Sequence, residues 1–354
     1  MTKIVLEKYY PGIIDPIMKI LYDPHHKAHH PPFEVVNGDH DKAMEIPDRA
    51  ENIYAALKLD QYNSVEEIQT VPKGLLESVH DKEYLRFLED SCATLKEQAY
   101  LYPSIWPYTQ DFALHQEQNS IAQLGRYIFD MYTPLLRDTY SVALGSASLA
   151  YTAATLLHSN PNEIYYALCR PPGHHAERAM AGGYCYINNS AIAAHYLSQY
   201  GKVATIDVDF HHGNGTQHIF YERNDVFTVS IHADPVWKFP HFSGFTNETG
   251  RGVGEGYNVN FPLERDVSDT QYDSVLQQAL EHIIKFKPSY IVVPYGADTH
   301  ISDPIGGFRL STEYFTQMGK RIKSLSIPTM IVQEGGYNNE HLGKNVTAFL
   351  KGFV

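Results

Sequence analysis

Asp207-Val208-Asp209-Phe210-His211-His212 packs two carboxylates and two imidazoles into six residues, and Gly213-Asn214-Gly215 follows with the chemistry of a bend. The preceding Val203-Ala204-Thr205-Ile206 is apolar and β-branched, the pattern of a buried strand. Side chains alternate along an extended chain, so Asp207, Asp209 and His211 leave on one face. Three ionisable groups gathered at the end of a buried strand repel one another or lie desolvated unless a cation joins them. A metal ion answers that demand better than a solvated turn does.

Other chemistry-bearing residues sit far away in the chain. Asp298 in Tyr295-Gly296-Ala297-Asp298 is the carboxylate available as a third ligand beside Asp209 and His211. Two carboxylates and one imidazole leave coordination positions open, as a catalytic metal requires. Zinc suits this donor set, with Fe(II) or another divalent ion as the alternative. The three cysteines, Cys92, Cys169 and Cys185, show no ligand spacing.

His174 and His175 follow Pro171-Pro172-Gly173, a stiff approach ending in a sharp turn. Adjacent imidazoles can serve as general acid and base if their partners differ, and Asp207 and Asn214 are available as a charged and a neutral partner. Tyr337 follows Gly335-Gly336, where backbone can approach a site closely. Its phenol can donate to a developing oxyanion. Gly183, Tyr184 and Phe239 read either as pocket walls or as ordinary packing. His25-His26 and His29-His30 read as a flexible, solvated loop in preference to a second metal site.

These groups converge only if the elements between them bring them together. Candidate strands are Glu163–Cys169, Val203–Asp207, Val226–His232, Tyr290–Tyr295 and Thr329–Gln333. Helical patterns cover Ala143–His158, Ser190–Tyr200, Gln271–Phe286 and Thr312–Ser324, the last stopped before Pro328. Such alternation predicts an α/β fold with a mainly parallel sheet covered by helices on both faces. Each candidate strand ends in one of the unusual motifs, and ligands of open α/β sheets bind at the carboxyl ends of strands. We expect one domain over residues 1–354, with insertions at about 23–47 and 99–138 acting as lids, rims or oligomer contacts.

Composition narrows the classes. The chain has 354 residues, 43% of them hydrophobic, and a formal net charge of −13. A large core is therefore available, and the acidic balance argues against a nucleic-acid surface. Neither a signal-peptide pattern nor a run of about 18 apolar residues is present, so no membrane role and a cytoplasmic location are expected.

Arg170-Pro-Pro-Gly-His-His175, Gly182-Gly-Tyr-Cys-Tyr-Ile-Asn-Asn189, Asp207-Val-Asp-Phe-His-His-Gly-Asn-Gly-Thr216 and Glu334-Gly-Gly-Tyr337 resemble motifs of the zinc-dependent deacetylases of the arginase–deacetylase fold. Phe239-Pro-His-Phe242, Glu248-Thr-Gly250 and Asp303-Pro-Ile305 look closest to the acetylpolyamine amidohydrolase branch. The resemblance runs from about residue 140 to the end, with a weaker trace at Pro47-Asp-Arg-Ala50.

It implies a three-layer αβα fold with about eight strands, zinc on Asp209, His211 and Asp298, and His174 and His175 as the acid/base pair backed by Asp207 and Asn214. Tyr337 becomes the carbonyl-polarising phenol. It further implies structural potassium held by Asp207, Asp209, His211, Ser230 and Ile231. Tyr184, Phe239 and Ile305 match pocket-lining positions, and Arg49 matches an inner-channel arginine.

The implied reaction releases acetate from a small cationic acetylated amine, with protein acetyl-lysine as the alternative and a homodimer as the assembly. One departure stands out. Ile121 and Tyr132 occupy positions where polyamine-selective members carry glutamates, with Asp130 nearby, which favours short diamines or acetyl-lysine over long polyamines. A two-manganese, arginase-like site lacks its extra aspartates here, and a non-catalytic binding module would lack part of the intact metal and acid/base set.

Overall fold

A computed structural model describes residues 18–60, 62–106 and 120–354. The reading of the extreme N-terminus and of the centre of the 99–138 segment falls outside the described residues. Eight strands form one all-parallel sheet: β1 (Met18–Leu21), β2 (Asn63–Val65), β3 (Ile164–Ala167), β4 (Val203–Asp207), β5 (Val226–Ala233), β6 (Asn258–Leu263), β7 (Tyr290–Tyr295) and β8 (Thr329–Gln333). Their order is β6-β5-β4-β7-β8-β3-β1-β2. From β4 the chain runs outward through β5 and β6 on one side, and β7 and β8 fill in on the other. The β4–β7 junction is therefore a point of reversal, where a crevice opens at the strands' carboxyl ends.

Both faces of the sheet are covered, so the strands are apolar throughout. Side-chain alternation divides them between two cores. Ala204, Ile206, Ile291, Val293 and Ile331 pack on one face with helices Asp48–Leu59, Asp269–Phe286, Thr312–Lys323 and Leu342–Lys351. Val203, Val292, Met330 and Val332 pack on the other with Lys82–Thr94, Thr139–Ser159 and Asn189–Leu197. The result is the three-layer αβα arrangement. The Thr139–Ser159 helix is long and apolar enough to cross a membrane by length and composition. Here its small residues Ala143, Ala147, Ala150 and Ala154 pack it into the second core.

The five candidate strands occur, with Glu163–Cys169 shortened to β3 and Val226–His232 extended by one residue to Ala233. The 23–47 region carries more structure than the expected loop, although His25, His30 and Asp39–Asp41 are exposed. It forms a 3-10 turn at Pro24–Ala28 and a hairpin of Glu34–Val36 with Asp39–Asp41. His26 and His29 are buried, His26 Nε2 lying 3.1 Å from Glu51 Oε1 and His29 Nδ1 lying 3.0 Å from Thr139 Oγ1. Partners distant in sequence thus bury histidines whose local pattern looks like a turn.

Candidate active site

The cradle forms where β4 and β7 end side by side. Asp209, His211 and Asp298 are buried, with ligand atoms all within 4.8 Å of one another. His211 Nδ1 lies 3.0 Å from Asp298 Oδ2 and 3.4 Å from Asp209 Oδ1. Backbone amides aim the carboxylates: His211 N and Gly335 N donate to Asp209 at 2.8 and 2.7 Å, and Phe210 N donates to Asp298 at 3.1 Å. A Cβ added at Gly296 would overlap Asp209 Oδ2, and one at Gly335 would overlap Asp298 Oδ2, so both glycines make room for the pair. Two carboxylates this close and this buried fit a divalent cation. It is the one such cluster among the described residues.

The tandem histidines belong to the loop after β3. His174 Nδ1 lies 3.0 Å from Asp207 Oδ2, while His175 Nδ1 lies 2.8 Å from Asn214 Oδ1. Burial alone would lower both imidazoles. For His174 the charges of Asp209 and Asp207 overcome it and raise the pKa to about 10. For His175 burial dominates, and the neighbouring His174 and His211 push in the same direction, well below the usual value. The two rings are thus pushed in opposite directions, His174 towards its charged form and His175 towards its neutral one. Only His175 of the two lines the pocket.

That pocket encloses about 190 Å³. His175, His211 and Tyr337 line it together with Gly183, Tyr184, Phe239 and Ile305, so all four predicted wall positions meet there. Gly183 adopts φ +56°, and a Cβ on it would strike the His175 ring, so glycine is required on both counts. Phe239 stands edge-on to His175, with ring centroids 4.9 Å apart. Tyr337 is held by its backbone N–H, which donates to Asp303 Oδ2 at 2.7 Å, and by the Arg49 guanidinium 4.5 Å over its ring. Arg49 itself is anchored to Gly336 O, Glu334 O and Glu45. Burial keeps the Tyr337 phenol protonated, and its hydroxyl bonds to no described residue.

Register places Asp207 opposite Ser230, and Ser230 Oγ lies 2.7 Å from His232 Nδ1. The buried Ile231 follows on the same strand. His212 lies with its ring tilted 53° to that of His232, centroids 4.5 Å apart, and meets Gln217 at 3.1 Å. Asp130 is not available to a ligand. Its carboxylate accepts from Gly183 N at 2.5 Å and from Tyr132 N at 3.0 Å. Tyr132 lines the pocket and Ile121 lies exposed outside it.

Several contributors escaped the sequence reading. Glu334, buried after β8, accepts from Gly173 N at 2.6 Å, His174 N at 3.0 Å and Ser190 Oγ at 2.9 Å, clamping the histidine loop. Glu177 receives Asn214 Nδ2 at 2.9 Å and so orients the amide behind His175. Asp303 fixes Tyr337. Glu34 and Lys238 both line the pocket. Glu334 and Asp303 stand inside the motifs named above and Lys238 adjoins the Phe239 motif, whereas Glu34 carries no local signal.

Fold and site together define a deacetylase or amidohydrolase of the arginase–deacetylase architecture, with a site for a divalent metal. The histone deacetylase domain matches residues 43–353, and the chain belongs to that family. It is 37% identical to acetylpolyamine amidohydrolase 2 of Pseudomonas aeruginosa, over 95% of this chain and 98% of that one. It is 38% identical to the acetylpolyamine amidohydrolase of Mycoplana ramosa, covering 95% of this chain and 99% of the relative. The crystal structure of acetylpolyamine aminohydrolase from Burkholderia pseudomallei superposes with a TM-score of 0.89 at 36% identity, covering 95% and 98% of the two chains.

Proposed function

We propose that the protein hydrolyses the N-acetyl amide of small acetylated amines to acetate and the free amine, acting on short acetylated diamines in preference to long polyamines. The observation that carries this reading is the convergence of the Asp209-His211-Asp298 cradle, the neutral His175 and the protonated Tyr337 on one narrow pocket. Zinc held by those three ligands would act as a Lewis acid on the acetyl carbonyl and lower the pKa of a water towards ~7. Potassium would be held beneath it by Asp207, Asp209, His211, Ser230 and Ile231.

His175 lines the pocket and uses Nδ1 on Asn214, which leaves Nε2 to take the proton of the attacking water. The leaving amine then takes a proton from the same imidazole. His174 lies behind it, and its pairing with Asp207 favours the protonated form of that ring. Tyr337 donates to the oxyanion as the carbonyl becomes tetrahedral. The wall offers a phenol at Tyr132, and Asp130 is bound to backbone amides, so neither of these positions supplies a free carboxylate for the distant nitrogens of a long polyamine.

The test is kcat/KM of zinc-loaded enzyme on acetylputrescine, acetylcadaverine, acetylspermidine, acetylspermine and an acetyl-lysine peptide. The two diamines should lead. A clear preference for the peptide would overturn the substrate assignment, and no acetate release from any of them would overturn the reaction.

A further inference from the structure

Two short-range spacings in the sequence meet behind His175. Glu177 follows His175 by two residues on the histidine loop. Asn214 and His218 stand four apart on the helix Asn214–Phe220, a spacing that puts both side chains on one face. All three converge on a single atom. Glu177 Oε1 receives Asn214 Nδ2 at 2.9 Å and lies 2.8 Å from His218 Nδ1. Asn214 is fully buried, Glu177 is half-buried and His218 reaches the surface. Neither Glu177 nor His218 lines the pocket or belongs to the metal cradle.

Donors and acceptors leave one arrangement open. A side-chain amide has a donating end and an accepting end. The Nδ2 end of Asn214 faces two groups that can only accept, the Glu177 carboxylate and the His175 backbone carbonyl at 3.4 Å. Its Oδ1 end therefore faces His175 Nδ1, 2.8 Å away, and an oxygen there demands a proton on Nδ1. Nε2 is left with the lone pair that a base needs. With the amide turned over, Nδ2 would donate to Nδ1, the proton would move to Nε2, and the basic nitrogen would be lost. The carbonyl is the longer and uncharged contact of the two, so the carboxylate decides the orientation. His218 steadies that carboxylate by sharing the same oxygen. Burial lowers the His218 imidazole, but the hydrogen bond and charge of Glu177, with Glu248 adding to them, more than offset it and raise its pKa.

We propose that Glu177 is a positioning residue for the reaction, locking the Asn214 amide and thereby deciding which ring nitrogen of His175 carries the proton. His218 acts one step further out, holding the Glu177 oxygen that Asn214 uses. This inference rests on the deacetylase reading, in which His175 is the base.

The experiment reads tautomer and turnover separately. Isotope-edited NMR of histidine-labelled, zinc-loaded protein, with His175 assigned by its loss in His175→Ala, should show Nδ1–H in the wild type and Nε2–H in Glu177→Leu. On N-acetylcadaverine, Glu177→Leu should lose kcat by on the order of ten- to a hundredfold at unchanged KM and zinc content. Glu177→Gln keeps an oxygen for both donors and should retain most of the turnover. His218→Ala should lose less than Glu177→Leu. The decisive background is Asn214→Asp, whose carboxylate accepts from Nδ1 whichever way it turns. There Glu177→Leu should raise kcat, because it removes a neighbouring carboxylate. An unchanged tautomer in Glu177→Leu, a near-native kcat, or the same loss in both backgrounds overturns the proposal. A wild type that shows the Nδ1–H tautomer, loses it in Glu177→Leu and cleaves no acetylated amine removes the deacetylase reading and leaves the lock standing.

Discussion

At the scale of single residues, the site works by giving like groups unlike partners. His174 and His175 are adjacent and equally buried, yet a carboxylate behind one and an amide behind the other separate their protonation states. Tyr337 shows the same economy. Its backbone is tied to Asp303 and its ring lies under Arg49, so the hydroxyl is positioned without being consumed. Tyr337→Phe removes one donor and nothing from the cradle. The variant should bind metal as the wild type does and lose kcat by on the order of 10²–10³. Equal metal content with near-native kcat would remove the phenol from the mechanism. The roles of these residues were legible because each stands in a dense local motif. Glu34 and Lys238 were not, since they line one pocket from about two hundred residues apart, and Lys238 only adjoins the Phe239 motif without chemistry of its own in it.

At the scale of elements, strand ends and glycines decide whether the ligands can meet. β4, β7 and β8 were legible to the residue because each is a run of apolar or β-branched side chains buried on both faces. β1, β2 and β6 were not. The first two have 4 and 3 residues, too short to show a period. In β6 the inward positions are Asn258 and Asn260, satisfied by Gln217 Oε1 at 2.9 and 2.8 Å, so polarity alternates against expectation. The turn after β8 carries a sharper constraint. Gly335→Ala puts a methyl group against both cradle carboxylates, and it should abolish stoichiometric metal binding while far-UV circular dichroism stays unchanged. Full metal occupancy in that variant, measured by elemental analysis, would show that the cradle tolerates the methyl.

The histidine loop has its own brace. His80 caps the end of the Lys73–Val79 helix, lies 2.9 Å from Glu177 O through Nδ1, and accepts from Asn188 N through Nε2. Burial lowers its pKa to about 4. Below pH 6.5 the unfolded chain therefore binds a proton that the folded chain refuses, so stability falls as pH drops towards 4 and is fully present above 6.5. The contribution approaches on the order of 3 kcal/mol at the lower end. Denaturant midpoints between pH 6.5 and 5, above the range of ordinary carboxylates, should decline with acidification, and His80→Gln should decline less steeply. Parallel slopes for the two proteins would mean that His80 takes up its proton in the folded state.

At the scale of the whole molecule, the cradle sits at the centre of the architecture. Its ligands hang from β4 and β7, the neighbours at which the strand order reverses, and those strands contribute to both cores. Losing the site and losing the sheet are therefore one event, and metal binding should report on global stability. Without a cation, Asp209 and Asp298 face each other in a buried space, which burial and their mutual repulsion make costly for Asp298. A ligand that binds only the folded state stabilises it by about 2.7 kcal/mol at a hundredfold excess over Kd. For a chain of this length that amounts to a rise of a few degrees in Tm. Chelator-stripped protein should melt earlier than the same protein with zinc restored, and Asp298→Asn should show no such response. An equal rise in Asp298→Asn would assign the effect to zinc elsewhere on the surface. No rise in the wild type, with one zinc bound per chain, would mean that the cradle opens without the sheet.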